Sequence, residues 1–232
     1  MKFSPEIFSS TIVAIGAFNP AIFSPDWLLT AGLIGEEDRN AANLTEGLLI
    51  SKQVSAFETD WFGLQVLEDR FTLASKGALS PAFRDLAQGI LGMVPHTPVS
   101  AVGLNFIGHY PVGTEEIYHR VGDALAPKDI WRKALPGKEN LGLADLQIFS
   151  QPGKRGDPVN SMDRLTFQVQ PSSKIRLGIF LSLNDHRADA FDAQKKSGNA
   201  LDAAGLIESD WEKSWAMSVD AFENILNAAV GE

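Results

Sequence analysis

The stretch VPHTPVSAVGLNFIGHYPVG, Val94 to Gly113, decides how the chain is organised. Thr97-Pro98 breaks the preceding structure, and alternating apolar residues then predict a strand over Val99–Tyr110. His96 and His109 lie near the two ends of this strand, 13 positions apart (109 − 96). An extended segment of that length spans on the order of 40 Å, so the two imidazoles cannot bind one ion. The stretch therefore indicates architecture rather than a metal site.

A pattern similar to part of this stretch occurs near the start of the chain. Ser100-Ala101-Val102-Gly103 follows the pattern of Val13-Ala14-Ile15-Gly16, which lies in a strand predicted over Thr11–Phe18, 87 positions earlier (103 − 16). Each copy leads through an asparagine and a turn into a helix, and the predicted orders are β-α-β-β-α and β-α-β-β-β-α. Four matching positions leave chance as the alternative to a duplication.

These observations predict an α+β protein. We expect one globular domain over residues 1–232, made of two pseudo-repeats over approximately 8–95 and 96–232. Each half would supply part of a curved antiparallel sheet that helices cover on one face. The expected architecture is pseudo-duplicated and similar to TATA-binding-like or helix-grip folds, which alone do not determine a function.

Other local signals place the remaining elements. Ser24-Pro25-Asp26 predicts a helix start, and Ser209-x-x-Glu212 predicts a capping box in a long last helix. Gly35 to Thr45 is polar and predicts a loop, as does Gln151–Met162. Further predicted strands are Gly47–Thr59, Trp61–Ala74, Leu143–Phe149, Arg164–Gln170 and Lys174–Asn184, and further predicted helices begin at Ser80-Pro81 and Gly113-Thr114.

Composition narrows the classes of function. The chain has 232 residues, no cysteine and a net charge of −9, and 44% of its residues are hydrophobic. The absence of cysteine excludes thiol catalysis and fits a reducing compartment, so we expect a cytoplasmic protein. Basic residues form only short clusters, Lys195-Lys196 and Lys154-Arg155, so a nucleic-acid partner is not expected. No apolar run is long enough to predict a membrane span.

Candidate catalytic residues lie near the end of one predicted strand. Asn184-Asp185-His186 follows an apolar run, and Asp189 is close in sequence. An aspartate can orient a histidine that acts as a general base, which would suit a hydrolase. Asn and Asp are also ordinary turn residues at a strand end. No G-x-S-x-G, S-x-x-K, P-loop or G-x-G-x-x-G occurs, and we expect no cofactor.

A candidate metal site lies on the helix that follows Thr114. Glu115, His119 and Asp123 recur at every fourth position and would share one helix face. Two carboxylates and an imidazole could bind a metal ion. The alternative is an exposed polar face with local ion pairs.

The last helix supplies a candidate interface. Trp211, Trp215 and Phe222 belong to one apolar stripe, which could bury itself in the core or meet a partner. Because catalytic signatures are missing, we expect a non-enzymatic protein that acts through protein–protein contacts or self-association. The alternatives are a small-molecule-binding domain with its ligand between the two halves, and the hydrolase that uses His186.

One resemblance supplements this interpretation. It rests on three short motifs: Asn19-Pro20-x-x-Phe23-x-x-x-Trp27, then Leu33-Ile34, and later Thr97-Pro98 before Val102-Gly103-x-Asn105. With these motifs the chain resembles a set of sporadically distributed bacterial proteins of unknown function. The resemblance touches both halves of the chain. It implies a bacterial or phage origin, and it carries over no activity and no functional residue.

Overall fold

A single antiparallel sheet organises the protein. The structure is a computed structural model that describes residues 3–154, 161–191 and 198–231. Within them, nine strands and six helices confirm the α+β class. The strands are β1 (Ile7–Gly16), β2 (Leu49–Ile50), β3 (Val54–Glu58), β4 (Phe62–Leu67), β5 (Arg70–Ser75), β6 (Val99–Pro111), β7 (Leu146–Ser150), β8 (Arg164–Pro171) and β9 (Gly178–Arg187).

The strand order is the same on both sides of the sheet centre. The full order is β2-β3-β4-β5-β1-β6-β9-β8-β7, and every neighbouring pair is antiparallel. Outward from β1 the next strands are β5, β4 and β3, while outward from β6 they are β9, β8 and β7. Strands β1 and β6 pair at the centre of the sheet, where Ile12 pairs with Leu104 and Thr11 pairs with Asn105.

Strict alternation along the strands separates two faces of the sheet. On β1 and β6, Ile12, Leu104 and Phe106 are fully buried, whereas their sequence neighbours Thr11 and Asn105 are half-buried. Successive side chains of a strand point to opposite faces, so the buried set shares one face. We call this the covered face, because the helices pack on it, and the opposite one the open face.

The helices are α1 (Pro25–Thr30), α2 (Glu36–Leu44), α3 (Pro81–Gly92), α4 (Glu115–Leu125), α5 (Asp129–Ala134) and α6 (Ala200–Val230). The 31-residue helix α6 contacts α3, α4, β6 and β9. Its Trp211 is fully buried between Phe83 of α3 and Phe106 of β6, and its indole N–H donates to Ser10 at 3.3 Å. Two apolar clusters fill the space between sheet and helices.

Side-chain caps begin three of the six described helices, α1, α4 and α6, whereas Ser80 makes no capping hydrogen bond at the start of α3. The hydroxyl of Ser24 accepts the backbone N–H of Trp27, which confirms the predicted start of α1. The predicted capping box at Ser209 is wrong, because that hydroxyl donates to Leu206 within α6. The capping box of α6 is instead formed by Asn199 and Asp202, ten residues earlier in the chain.

Other boundaries differ from expectation for local reasons. Gly35–Thr45, predicted as a loop, contains helix α2, whose first turn has the acids Glu36, Glu37 and Asp38 that favour a helix N-terminus. The run predicted as one strand over Gly47–Thr59 is two strands joined by a turn, as is Trp61–Ala74. The Lys195-Lys196 cluster, Arg155 and residues 155–160 of the predicted loop lie outside the described residues. Among the helices described here, none is both long enough and apolar enough to cross a membrane.

Candidate functional site

The candidate catalytic residues Asp185 and His186 lie on opposite faces of the sheet. Both belong to β9, where neighbouring side chains alternate. Asp185 points to the covered face and is buried, while His186 is half-buried on the open face, where it pairs with Gly103 and Arg164. Because the sheet lies between them, Asp185 cannot orient the imidazole of His186.

Asp185 instead anchors a charged network under the sheet. Its carboxylate accepts hydrogen bonds from Arg187 Nε at 2.6 Å and Nη2 at 2.9 Å, and from the Ser214 hydroxyl of α6 at 2.6 Å. The hydrogen bond to Asp185 raises the pKa of the Arg187 guanidinium against the opposing effect of burial. Asp210 of α6 lies 3.9 Å from the same guanidinium. This network joins β9 to α6, which is a structural role.

Asp189 lies in a one-turn 3-10 helix just after β9. Its carboxylate accepts the backbone N–H of Met162 at 2.7 Å. In the reverse direction, Asp163 accepts the backbone N–H groups of Ala188 and Asp189 at 2.7 and 2.9 Å. The two carboxylates thus fix the start of β8 against the end of β9. These contacts satisfy backbone donors and indicate no proton transfer.

The candidate metal ligands remain spread along the exposed face of α4. His119 Nε2 lies 3.6 Å from Glu115 Oε1, whereas Asp123 forms an ion pair with Lys128 Nζ at 3.2 Å. The ammonium of Lys128 is buried and also donates to the carbonyls of Gly122 and Ala126 at the end of α4. Nowhere in the described residues do three or more His, Asp or Glu side chains gather in a metal-binding arrangement.

A cavity of about 340 Å³ lies beside this helix. His119 and Asp123 line it with Tyr118 and Lys128, and Asn140 to Leu143 and Ile179 complete the wall. The cavity volume lies at the lower end of the range for small-molecule sites. The two metal candidates are therefore brought to one cavity wall, although not to one ion.

The candidate interface residues of α6 differ in exposure. Trp211 and Phe222 are fully buried, so both side chains pack in the core of the chain itself. Phe222 packs edge-on against Phe8, Tyr110 and Phe167. Trp215 is half-buried, packs at a tilt against Trp211 and lines a cavity together with Pro5–Ser9, Ser75 and Gly77–Leu79. Trp215 is the member of this stripe that solvent reaches.

The two histidines of the 94–113 stretch have different surroundings. His96 is exposed, whereas His109 is buried on the open-face side of β6. His109 Nδ1 lies 2.8 Å from the Ser172 hydroxyl, and its ring packs edge-on against Phe180. Burial, with a smaller contribution from the positive charge of Lys174, lowers the pKa of His109. This histidine is neutral at pH 7 and forms part of the packing at one end of the open face.

The open face of the sheet is not covered by any of the described helices. Two rows of paired residues cross it, each about 5 Å from its neighbours in adjacent strands. One row runs Thr11, Asn105, Asn184 and Thr166, and the next runs Ser9, Ile107, Ser182, Gln168 and Gln147. Amide and hydroxyl side chains thus form the central part of these rows, and the first row continues to Ala74 on β5 and to the exposed Phe149 on β7.

These rows line a depression of about 500 Å³ that extends over β1, β6, β9, β8 and β7. Five adjacent strands therefore contribute to one hollow of the open face. Among the strand residues on this face, only Glu58, Arg70 and Arg164 carry a charge at pH 7, and Glu58 is paired with Lys76 at 2.9 Å. The open face is therefore polar but nearly free of acids in a protein of net charge −9.

Comparisons with known proteins supply no relative. The chain matches no protein-family model, and no curated protein is significantly similar to it.

The rows of the open face were missed in the sequence, although a signal for them exists. Asn105, Ser182, Asn184, Thr166 and Gln168 each occupy the polar phase of an alternating strand. Alternation predicts that they face away from the core. It does not predict that three strands bring them into adjacent rows, because that requires the strand order.

Proposed function

We propose that this protein is a non-enzymatic binding protein that acts through protein–protein contacts, with the open face of its sheet as the surface that meets the partner. The observation that carries the proposal is the pair of rows of amide and hydroxyl side chains that line a depression on the uncovered sheet face. Uncharged polar groups can hydrogen-bond to a partner without the large desolvation cost that a charge would incur.

The charge distribution supports the same surface. Interface centres are depleted in Lys, Glu and Asp, whereas arginine is enriched there. On the open face the charged strand residues are Arg70 and Arg164, with Glu58 at one margin. The exposed helices, in contrast, carry most of the acids, six of them in α6 alone. A partner would therefore meet the least acidic side of the molecule.

The separation of Asp185 from His186 favours binding over hydrolysis. A catalytic dyad needs its two groups within hydrogen-bond reach, and alternation on β9 places these two on opposite faces. Asp189 accepts a backbone N–H group, so a hydrolytic role for it would require a rearrangement of the start of β8.

We further propose that the two halves arose by duplication, which would make the fold similar to TATA-binding-like or helix-grip architectures. The outward order of three strands from β1 and from β6 supports it. Ser24 and Thr114, which cap the helices that follow these strands, both accept the backbone N–H of the residue three positions later.

The absence of cysteine and the resemblance to bacterial proteins support a cytoplasmic bacterial protein.

Paired arginine substitutions test the open face. In Ser182→Arg/Thr166→Arg, two bulky charges occupy adjacent strands at the centre of the depression. Ala82→Arg on the exposed side of α3 is the control. Affinity purification with quantitative mass spectrometry, followed by reconstitution with the purified candidate, should give a partner that the wild type and the control retain and that the double variant loses at least about tenfold. Equal retention by all three proteins would refute the proposal, provided that circular dichroism shows each to be folded.

The cavity beside α4 supports a second candidate function, the binding of a small molecule. It combines an apolar wall, Leu141, Leu143 and Ile179, with the polar groups of Tyr118 and Asn140. It lies within the second half of the chain rather than between the halves. A thermal-shift screen with small phenols and indoles should raise the melting temperature of the wild type but not of Gly142→Trp, which fills the cavity. No shift with the wild type would dismiss this candidate.

A further inference from the structure

The segment Asp129–Asn140 is exposed along its whole length, although it carries large apolar residues. Helix α5 presents Ile130 and Trp131, which are 70% and 54% exposed, and Leu135 follows at 46%. The other four tryptophans of the chain are buried or half-buried. A cluster of exposed apolar side chains on a short helix is typical of a protein-interaction surface.

The same segment is locally basic. Arg132, Lys133 and Lys138 lie beside the exposed apolar residues, and the acids of the segment are Asp129 and Glu139. Arg132 is paired with Asp129 at 3.1 Å, which leaves Lys133 and Lys138 without an ion pair among the described residues. In a chain of net charge −9, this basic and apolar segment is an electrostatic exception.

Helix α6 offers a surface of the opposite character. We define the acidic stripe as Glu208, Glu212, Ala216 and Asp220, which recur at every fourth position and are all exposed. Val219 beside it is 38% exposed. Arg84 of α3 pairs with Glu212, whereas no described cation pairs with Glu208 or Asp220. The stripe and Val219 thus combine small apolar side chains with two acids, Glu208 and Asp220, that form no ion pair among the described residues, although the charge of Glu208 also acts on Arg84.

We infer that the protein self-associates, with α5 of one copy packed on the acidic stripe of a second copy. Ile130 and Trp131 would lie against Ala216 and Val219, and Lys133, three residues after Ile130 on the same side of α5, would face the acids of the stripe. Arg132 lies on the far side of α5 and adds to the positive charge of the segment. A two-fold axis buries both α5 helices in one step, because each copy carries both surfaces. Tryptophan and arginine are also the residue types that most often dominate interface energetics.

The surfaces of this dimer are separate from the open face, which lies on the other side of the sheet from α6. The inference therefore goes beyond the proposed function and can fail independently of it. Ser182→Arg/Thr166→Arg, which disrupts the open face, should leave self-association unchanged.

Charge reversal in both surfaces tests the inference. Sedimentation equilibrium of the full chain from about 1 to 100 µM should show a dimer for the wild type. Arg132→Glu/Lys133→Glu and Glu208→Lys/Asp220→Lys should each raise the dimer dissociation constant at least about tenfold, since each brings like charges together. An equimolar mixture of the two variants should recover dimers, because opposite charges then meet at both contact sites of the mixed dimer.

Lys52→Glu, an exposed reversal in the turn between β2 and β3, is the matched control and should dimerise as the wild type does. All substituted positions of the two test variants are exposed, so circular dichroism and melting temperature should match the wild type. A wild-type chain that is monomeric at 100 µM would overturn the inference. So would a dimer that both double reversals leave unchanged, or a mixture that stays monomeric.

Discussion

The two faces of the sheet use the same strands for different purposes. On β6, Leu104 and Phe106 are fully buried under α6, while Asn105 and Ile107, which alternate with them, are half-buried on the open face. On β9, Asp185 is buried in an ion-pair network and the next residue, His186, is not. The comparison indicates that the covered face holds the fold together, and that the open face retains the side chains a partner can contact.

Truncations on β6 should show the largest difference between the faces. Leu104→Ala removes a fully buried side chain and leaves a cavity, so we expect a loss of about 2–5 kcal/mol in the free energy of unfolding. Ile107→Ala removes a half-buried side chain of the same size from the same strand, and should cost about 1 kcal/mol. Urea denaturation of both variants measures the difference.

Equal losses at the two positions would contradict the distinction between the faces. A large loss at Ile107 would mean that the open face is itself covered in solution, for example by a second copy. Sedimentation of the Ile107→Ala variant would identify that case through a changed mass.

The charged network on the covered face should give the next largest effect. Asp185→Ala leaves the Arg187 guanidinium and the Ser214 hydroxyl without their acceptor, and we expect a loss of about 2–3 kcal/mol in the free energy of unfolding. The loss stays below that of a fully buried pair because Arg187 is 34% exposed. Asn184→Ala, one residue away on the open face, should change it by less than about 0.5 kcal/mol.

Urea denaturation also distinguishes the two contacts of Asp185. Asp185→Asn retains one hydrogen-bond acceptor and should recover part of the loss, whereas Ser214→Ala should cost less than Asp185→Ala because it leaves the ion pair intact. If Asp185→Ala proves neutral, the network does not stabilise the covered face.

The opposite placement of Asp185 and His186 could have been predicted from the sequence. Leu181, Leu183 and Asp185 share a phase, so the apolar pattern of β9 already places Asp185 on the core side. His186 falls in the other phase. The proposed catalytic pair was based on sequence proximity, which in a strand separates side chains instead of joining them.

Other features needed tertiary information. Helix α2 was missed because its composition is polar throughout, and it is kept in place by contacts with α1 and β3. Trp211 and Phe222 were correctly placed on one apolar stripe, but a stripe does not show whether the core or a partner covers it. The depression of the open face depends on the order of five strands, which the local sequence does not contain.

A buried phenol makes the covered face sensitive to alkali. Burial, with a smaller contribution from Glu223, raises the pKa of Tyr110 to about 12 from an ordinary value of 10.0. Below pH 10 the phenol is neutral in both states and its contribution is complete; as the pH rises from 10 toward 12, the unfolded chain ionises first and stability is lost. At pH 11 the expected loss is about 1.4 kcal/mol.

Tyr110→Phe should lack this loss, since it has no ionisable group. The measurement is the free energy of unfolding in urea at pH 9, 10 and 11, taken as the difference between the wild type and the variant so that the titration of lysines cancels. A constant difference across this range would contradict a raised pKa for Tyr110.

The open face should show the opposite sensitivity, to acid, and the smallest effect. Burial, and then the charge of Lys174, lowers the pKa of His109 below its ordinary 6.5. The folded state therefore favours the neutral imidazole, and as the pH falls from 6.5 through the folded pKa, the unfolded chain binds a proton first and stability decreases. His109→Gln should remove this dependence between pH 7.5 and 5, and Lys174→Ala should weaken it. The measurement is the melting temperature of the wild type and the two variants as the pH is lowered. If all three melting temperatures fall equally, Ser172 and Phe180 do not exclude water from the His109 ring, and this end of the open face is accessible to solvent.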